Sequence, residues 1–355
     1  MRSTDRFISG VRLSLACAAF LATAAPASAA TLGGPLTLED EGSFFVNGQA
    51  VLSNNPGASL VTGPAAPGHI MVNQMYVHYR IPAAKKSIPV VMVHGSGHTG
   101  MTYETTPDGR EGWATYFVRR SHPAYVVDHS GRGRSGFNPT PVNQVRDTAG
   151  SNPASLPTLF MGTRERGWVN FRFGPSYPQP FPGLQFPLEA LDQYLAQLVP
   201  NSESTLAGGG ANTVNALAAL LDKIGPAVVM VHSQSGLYGL DVVRKRPNLV
   251  KALISIEGGC ETVTAEDAAN YLSKVPMVSV WGDNSVGAKD TVNGDKRRNG
   301  CLAAINMAKA AGGRATFLLL PDIGIKGNSH MMMMDKNNLQ LADILLKWIG
   351  ESVGK

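Results

Sequence analysis

The first residue that suggests chemistry is a serine at a sharp turn. Ser233 follows the apolar run 227–231 and precedes a helical pattern at residues 237–246. A buried strand that turns tightly into a helix raises the hydroxyl of the turn serine above the end of the strand, which is typical of an activated nucleophile. The usual strand-to-helix turn around a nucleophilic serine has glycine two residues before and two residues after it. This chain has Val231 and Ser235 at those positions. By itself, the turn is equally compatible with a serine that caps a helix.

A base for this serine is indicated by the order of residues along the chain. The corner of Ser233 resembles that of α/β hydrolases, in which the order along the chain is serine, then acid, then histidine. Of the eight histidines, only His330 lies after Ser233. It ends the turn GNSH behind the last strand-like run, where an imidazole can reach the hydroxyl and accept its proton. The sequence therefore predicts a pair formed by Ser233 and His330.

Two carboxylates are placed to orient His330. Glu257 ends the apolar run 252–256, and Asp283 follows the apolar run 277–281. Either carboxylate can accept the imidazole N–H and stabilise the imidazolium, because both lie at the carboxyl end of a predicted strand. The positions of the residues leave both acids open.

A glycine-rich turn supplies candidate hydrogen-bond donors for a developing oxyanion. An apolar run is followed by HGSGHTG at residues 94–100. Glycine allows backbone N–H groups to approach a negative oxygen without obstruction by side chains, and we expect the donors to be the N–H groups of Ser96 and Gln234. His94 and His98 lie in the same turn, but a glycine-rich turn is not a helix face, so we expect no metal site.

A second glycine-rich run follows the apolar segment 124–128. Residues 131–136 read GRGRSG, which matches the G-x-G-x-x-G pattern of dinucleotide-binding turns. A proline-rich stretch follows this run, in place of the helix whose N-terminus would bind a pyrophosphate. We therefore expect no dinucleotide at this turn.

The candidate residues lie at the ends of strand-like segments. Apolar runs alternate with helical patterns, which predicts an α/β fold with a mostly parallel central sheet and helices on both faces. The runs are residues 89–94, 124–128, 227–232, 252–256, 277–281 and 315–320, after two strand-like pieces at 43–46 and 75–80, and the helical patterns are residues 188–198, 213–223, 237–246, 265–272, 302–311 and 339–350. Because the carboxyl ends of parallel strands share one edge of the sheet, we expect the candidate residues to converge there.

One segment, residues 138–187, departs from this alternation and is called the insertion below. It contains nine prolines, which disfavour regular elements, and seven interleaved aromatic residues. The insertion is either a surface loop or a cap that lines a pocket with aromatic side chains. Ligand sites in open α/β sheets lie beyond the carboxyl ends of the strands, which favours the cap.

The first thirty residues are predicted to be a secretory signal peptide. Three arginines precede the apolar run 13–25, and Ala-Ser-Ala at residues 27–29 provides the small residues of a cleavage site. Removal of residues 1–30 takes three arginines and one aspartate from a formal net charge of +5 and leaves +3. We expect residues 31–355 to be one exported domain, periplasmic or extracellular. We expect no nucleic-acid partner, since there is no long run of like charge, and no membrane span after cleavage.

Two cysteines remain in the predicted mature chain. We expect Cys260 and Cys301 to form a disulfide in an oxidising compartment, and the alternative is two unrelated thiols. Closure of the loop between them would stabilise the fold by about 4 kcal/mol in the chain-entropy model.

Together these motifs resemble the α/β-hydrolase superfamily from about residue 75 to the C-terminus. Within it, HSQSG at residues 232–236 is similar to the motif of atypical secreted bacterial esterases, in which the glycines of the turn are also replaced and the acid is a glutamate after strand six. The resemblance implies an α/β-hydrolase fold and a carboxylesterase that acts on a small-molecule ester without metal or cofactor. It favours Glu257 over Asp283, as does the predicted disulfide, since Cys260 would brace the loop that bears the acid.

Two other functions are compatible with the sequence. The fold can serve as a non-catalytic scaffold for a ligand or partner, and the same three residues can act in an amidase or peptidase. A serine, an acid and a histidine in the expected order favour an enzyme. If the insertion is a cap, replacing residues 150–180 with a short Gly/Ser linker should change ester selectivity more than turnover of p-nitrophenyl acetate.

Overall fold

The structure, a computed structural model, describes residues 33–84, 86–156, 158–201, 203, 208–288 and 294–353. The predicted signal peptide, residues 1–30, lies outside the described residues. Within the ranges given, no helix combines the length and the apolar character that a membrane crossing requires.

A large mixed sheet runs through the molecule. In chain order the strands are β1 (Leu38–Ser53), β2 (Ala58–Ser59), β3 (Gly63–Pro64), β4 (Gly68–Pro82), β5 (Val90–Val93), β6 (Ala124–Val127), β7 (Ala227–His232), β8 (Val250–Ile256), β9 (Met277–Trp281) and β10 (Ala315–Leu319). The main sheet has the order β1-β4-β6-β5-β7-β8-β9-β10, and β2 pairs with β3 in a separate short sheet. The six strands from β6 to β10 are parallel, while β4 pairs antiparallel with β1 and β6. The predicted mostly parallel α/β architecture is confirmed.

Helices cover both faces of this sheet. Among the described residues, the α-helices are α1 (Met101–Glu104), α2 (Trp113–Arg119), α3 (Thr140–Asp147), α4 (Arg164–Asn170), α5 (Leu191–Ala196), α6 (Gly209–Ile224), α7 (Ser235–Lys245), α8 (Ala265–Asp267), α9 (Gly294–Ala310) and α10 (Asn338–Val353). One hydrophobic cluster contains the buried residues of α2 and α10, and a second contains those of α6, α7 and α9. The sheet therefore separates two cores.

The central strands are apolar throughout because both of their faces are covered. Every residue of β5 and β7 is buried. Successive side chains point to opposite faces, so that Val90 and Met92 of β5 belong to one core while Val91 and Val93 belong to the other. Because both faces of these strands are buried, their sequences are continuous apolar runs and do not alternate between apolar and polar residues.

Several elements differ in extent or type from the prediction. The strand-like pieces at residues 43–46 and 75–80 are parts of the much longer β1 and β4, which pair with each other along their length. β1 is largely exposed and β4 is mostly half-buried, so neither strand carries a continuous apolar signal. The helix predicted at residues 265–272 is α8 followed by a π-helical turn at Ala268–Leu272.

The insertion is packed against the domain and is not a plain loop. It contains α3, α4 and short turns between prolines. Trp168, Phe173 and Phe186 are buried in the core that also holds α2 and α10. The insertion is therefore anchored to the sheet domain by its own aromatic side chains.

Candidate active site

Ser233 lies on the corner between β7 and α7. Its φ of 53° is in the left-handed region, and its carbonyl accepts the N–H of Gly236 at 3.0 Å. A Cβ at Gly236 would lie 2.4 Å from the backbone nitrogen of Gly259, and a Cβ at Gly95 would lie 2.9 Å from the Cβ of Ser233. Close packing around the serine is thus provided by Gly95 and Gly236, in place of glycines two residues before and after it.

Three buried side chains form a continuous hydrogen-bonded series, called the Ser–His–Glu series below. Ser233 Oγ lies 2.8 Å from His330 Nε2, and His330 Nδ1 lies 2.6 Å from Glu257 Oε2. The other carboxylate oxygen of Glu257 accepts the N–H of Gly282 at 3.0 Å. A proton on Nδ1 satisfies this arrangement and leaves Nε2 to accept the serine proton.

Burial and a nearby cation keep the imidazole neutral. Burial lowers the pKa of His330 well below its ordinary value, and the positive charge of Arg172 lowers this pKa further. Burial raises the pKa of Glu257, while the charge of Arg172 and the hydrogen bond from Gly282 oppose that rise. A neutral imidazole beside a hydroxyl is the form that a general base requires.

The structure places the two candidate acids differently. Asp283, which follows β9, accepts the N–H of Gly327 with both carboxylate oxygens, at 2.9 and 3.1 Å. It fixes the loop that carries His330 without a hydrogen bond to the imidazole. Of the two acids, it is Glu257 that reaches His330.

The two predicted oxyanion donors lie next to the serine. Gln234 follows Ser233 directly, and Ser96 lines the same cavity as the serine. Neither backbone N–H donates a hydrogen bond to another residue in the described part of the chain. The side chain of Asn201 donates to Ser96 Oγ at 3.0 Å and steadies this turn.

A buried arginine that the sequence patterns did not indicate connects these two turns. Arg132 donates from Nη1 to the carbonyl of Gly95 at 2.7 Å and from Nη2 to the side-chain oxygen of Gln234 at 3.1 Å. Its charge is paired with the buried carboxylate of Glu203. The glycine-rich run 131–136 therefore braces the turns around the serine.

The histidines of the first glycine-rich turn use both ring nitrogens within the protein. His94 and His98 each donate from Nδ1 to a backbone carbonyl of their own turn, at 2.9 and 2.8 Å. Nε2 of His94 accepts the N–H of His129 at 3.0 Å, and Nε2 of His98 accepts the hydroxyl of Tyr194 at 3.0 Å. Among the residues that the structure covers, no three His, Cys, Asp or Glu side chains are grouped to hold a metal ion.

The insertion contacts the site directly. The carbonyl of Phe171 accepts the backbone N–H of His330 at 2.9 Å, and its ring lies nearly parallel to the imidazole with centroids 6.1 Å apart. Arg172, which is 2% exposed, donates from Nη1 to Glu257 Oε2 and lies 2.7 Å from His330 Nδ1. No motif marks a functional arginine in a proline-rich segment, so this contact was not predictable.

A cavity of about 110 Å³ opens onto the serine. Its lining consists of Ser96, Gly97, Phe160, Gly162, Arg166, Gly167, Asn170, Phe171, Leu198, Ser233 and His330. The insertion contributes more than half of these residues. A larger cavity of about 210 Å³, lined in part by Gln74 and Asn212, contains no member of the Ser–His–Glu series.

A disulfide lies close to the acid. Cys260 and Cys301 are joined, and both are buried. The bond connects the loop after Glu257 to α9. It therefore ties the segment that bears the acid to a helix of the second core.

The sheet, the serine corner after β7 and the histidine loop after the last strand define an α/β hydrolase, and the chain belongs to the α/β-hydrolase superfamily. It is similar to a bacterial esterase of known structure, with 42% identity over 90% of this chain and 98% of that chain, and a TM-score of 0.84. It is also 29% identical to the probable secreted lipase phiG of Fungal sp. (strain ATCC 74256), over an alignment of 318 residues that covers 78% of this chain and 85% of that protein. No family profile matches the chain. These similarities support a hydrolase of the esterase or lipase type.

Proposed function

We propose that the protein is a secreted serine carboxylesterase. Ser233 is the nucleophile, His330 the general base and Glu257 the acid that orients the base. The observation that carries the proposal is the Ser–His–Glu series, with separations of 2.8 and 2.6 Å, at the carboxyl edge of the parallel strands. The similarity to a bacterial esterase and to a probable secreted lipase supports both an ester substrate and export.

In the first half of the reaction, the hydroxyl of Ser233 attacks the carbonyl carbon of the ester while His330 Nε2 accepts its proton. Glu257 stabilises the imidazolium through Nδ1. The N–H groups of Ser96 and Gln234 stabilise the oxyanion of the tetrahedral intermediate. When this intermediate collapses, the alcohol leaves with the proton from His330, and the acyl group remains on Ser233.

In the second half, water attacks the acyl-enzyme. His330 accepts a proton from the water, a second tetrahedral intermediate forms at the same donors, and its collapse returns the proton to Ser233 and releases the carboxylic acid. Phe160, Phe171 and Leu198 line the cavity beside the serine, so it receives an apolar part of the substrate. In both halves the groups that act on the substrate and on the water are side chains and backbone groups of this chain.

Hydrolysis of p-nitrophenyl acetate by the mature protein tests the proposal. Ser233→Ala should lower kcat by several orders of magnitude, as removal of such a nucleophile does in other serine hydrolases. Ser255→Ala is a matched control, because Ser255 lies buried on the neighbouring strand β8 and its hydroxyl makes no hydrogen bond among the described residues. A fluorophosphonate should add its mass to wild type and to Ser255→Ala, but not to Ser233→Ala.

Two results would replace this function with another. A folded wild type that hydrolyses no ester of a p-nitrophenyl panel and takes up no fluorophosphonate would be a non-catalytic scaffold. Faster cleavage of p-nitroanilides than of the matching p-nitrophenyl esters would make the protein an amidase.

Export is tested separately. The full chain of 355 residues, expressed in a bacterium, should appear outside the cytoplasm with a new N-terminus near residue 31. Retention of an intact N-terminus would contradict the signal peptide without affecting the catalytic proposal.

A further inference from the structure

Arg172 lies just after the end of α4, in a backbone conformation that suits glycine. Its φ is 57°, its N–H donates to the carbonyl of Val169 at 3.1 Å, and the N–H of Phe173 donates to the carbonyl of Trp168 at 3.0 Å. These two hydrogen bonds form a Schellman motif, whose left-handed position is usually glycine. An arginine at this position has a steric cost, and the contacts of its side chain must offset that cost.

The side chain of Arg172 is buried against the acid and the base at once. Nη1 donates to Glu257 Oε2 and lies 2.7 Å from His330 Nδ1. With Glu257 ionised and His330 neutral, the three side chains carry no net charge. A proton on His330 adds one positive charge, which is balanced only when negative charge develops on the substrate next to Ser233.

We propose that Arg172 is a positioning residue of the reaction: it holds the Glu257 carboxylate against His330 Nδ1 and restricts protonation of the imidazole to the step in which an oxyanion forms beside it. This inference rests on the proposed roles of Ser233, His330 and Glu257. It assigns to the insertion a part in the chemistry, beyond lining the cavity.

Charged and titratable groups face the imidazole from each element packed against it. They are Glu257 after β8, Arg172 of the insertion, Arg297 of α9, His98 after β5 and His232 at the end of β7. Burial lowers the pKa of His98 to about 4 and the pKa of His232 well below its ordinary value, so both are neutral near pH 7. Nη1 of Arg172 lies 2.7 Å from His330 Nδ1 and the charge of Arg172 lowers the pKa of the imidazole, so its removal should raise the pKa of His330.

The variant Arg172→Gly removes the guanidinium and suits the left-handed backbone. For p-nitrophenyl acetate, the acidic limb of the kcat/KM profile reports the pKa of the base in the free enzyme. In Arg172→Gly this limb should move up by about one pH unit or more, and turnover per fluorophosphonate-labelled site at pH 7 should fall roughly 10- to 100-fold. Arg172→Lys keeps a positive charge, so its acidic limb and its turnover should lie between those of Arg172→Gly and wild type.

A purely structural role gives a different result. It would lower the thermal midpoint and the labelled fraction of Arg172→Gly while the acidic limb, per labelled site, stays at the wild-type pH, and this outcome would overturn the inference. If Arg172→Gly does not fold, the acidic limb of the kcat/KM profile is measured with Arg172→Gln, which keeps most of the side-chain length and removes the charge. The same shift supports the inference, and its absence overturns it.

The failure of this inference is distinguishable from failure of the proposed function. A wild type without ester turnover or labelling contradicts the function itself. An active wild type whose acidic limb is unchanged by loss of the guanidinium contradicts only the role of Arg172.

Discussion

Ser233 and Glu257 both adopt left-handed backbone conformations, with φ values of 53° and 45°. For residues other than glycine such conformations cost on the order of 1–3 kcal/mol each. At both positions the chain leaves a buried parallel strand and turns sharply, and both side chains bind His330. The strain is therefore concentrated on the two residues whose side chains contact His330.

The assignment of the acid leads to a prediction that compares two carboxylates. Glu257→Gln should lower kcat by about 10⁴-fold, because an amide no longer selects the Nδ1–H tautomer or stabilises the imidazolium. Asp283→Asn should stay near wild type, since an amide oxygen still accepts the N–H of Gly327. Turnover of p-nitrophenyl acetate, with circular dichroism to verify folding, measures both. The reverse pattern would move the acid to Asp283 and leave the serine and histidine in place.

The positions along the chain narrowed the acid to two residues but did not discriminate between them, and only the resemblance and the predicted disulfide favoured Glu257. The reason is geometric. β8 and β9 are neighbours, and adjacent strands lie about 4.8 Å apart, so carboxylates after either strand lie near the same histidine. The choice depends on the turns that follow, where Glu257 is left-handed and Asp283 bonds to Gly327. These contacts join residues far apart in the chain, and local periodicity contains no information about them.

At the scale of elements, the insertion combines two tasks that the sequence suggested only in part. It lines the cavity, through Phe160 among others, and it supports His330 and Glu257 through Phe171 and Arg172. From the sequence we expected a Gly/Ser linker over residues 150–180 to change ester selectivity more than turnover of p-nitrophenyl acetate. The contacts of Phe171 and Arg172 predict a different result. Such a replacement should lower turnover of every ester, including p-nitrophenyl acetate, because it also removes the contacts to the base and the acid.

Substitution of Phe160 tests whether the cavity binds the acyl group, without removing the contacts of Phe171 and Arg172 to His330 and Glu257. Phe160→Ala should raise kcat/KM for p-nitrophenyl esters of longer acyl chains relative to the acetate, because loss of the ring enlarges a cavity of about 110 Å³. Phe137→Ala, which changes a half-exposed phenylalanine outside this cavity, should keep the wild-type ratio. An unchanged ratio in Phe160→Ala would mean that the acyl group does not occupy this cavity.

The disulfide gives a prediction about how two elements are held together. Cys260 and Cys301 are 41 residues apart, and the double variant Cys260→Ala/Cys301→Ala should lose about 4 kcal/mol of unfolding free energy. Turnover should fall as well, because Glu257 lies three residues before Cys260 on the braced loop. Urea unfolding with and without dithiothreitol measures the stability: the reductant should destabilise wild type and leave the double variant unchanged. Equal stability of the two proteins would contradict the brace.

At the scale of the whole molecule, the central sheet was predictable because each of its parallel strands is covered on both faces. The apolar runs at residues 89–94, 124–128, 227–232, 252–256, 277–281 and 315–320 all correspond to strands of the main sheet. The strand order was not predictable, because pairing between strands distant in sequence leaves no local pattern. β1, which is largely exposed, and β4, which is mostly half-buried, lacked the complete burial that produces a continuous apolar run in the sequence.

The loop that carries His330 joins the site to one of the two cores. The methionines at residues 331–334 are fully buried in the core that also holds α2 and α10. Asp335, also fully buried, accepts the N–H and the hydroxyl of Ser329 at 2.9 and 2.6 Å and the side-chain amide of Asn328 at 2.8 Å. A buried carboxyl group thus fixes the turn immediately before the base.

This carboxyl group makes the stability of the whole chain depend on pH. Burial raises the pKa of Asp335 from 3.8 to about 7. Between about pH 4 and about pH 7 the folded chain retains a proton here that the unfolded chain has released, so this contribution to stability is lost as the pH rises through the folded pKa. The unfolding free energy of wild type minus that of Asp335→Asn should therefore fall by up to about 4 kcal/mol from pH 4 to pH 8. Urea unfolding over a pH series measures the difference, in which the titrating groups shared by the two proteins largely cancel. A difference that stays constant or rises with pH would show that Asp335 is ionised in the fold throughout, held by its three donors.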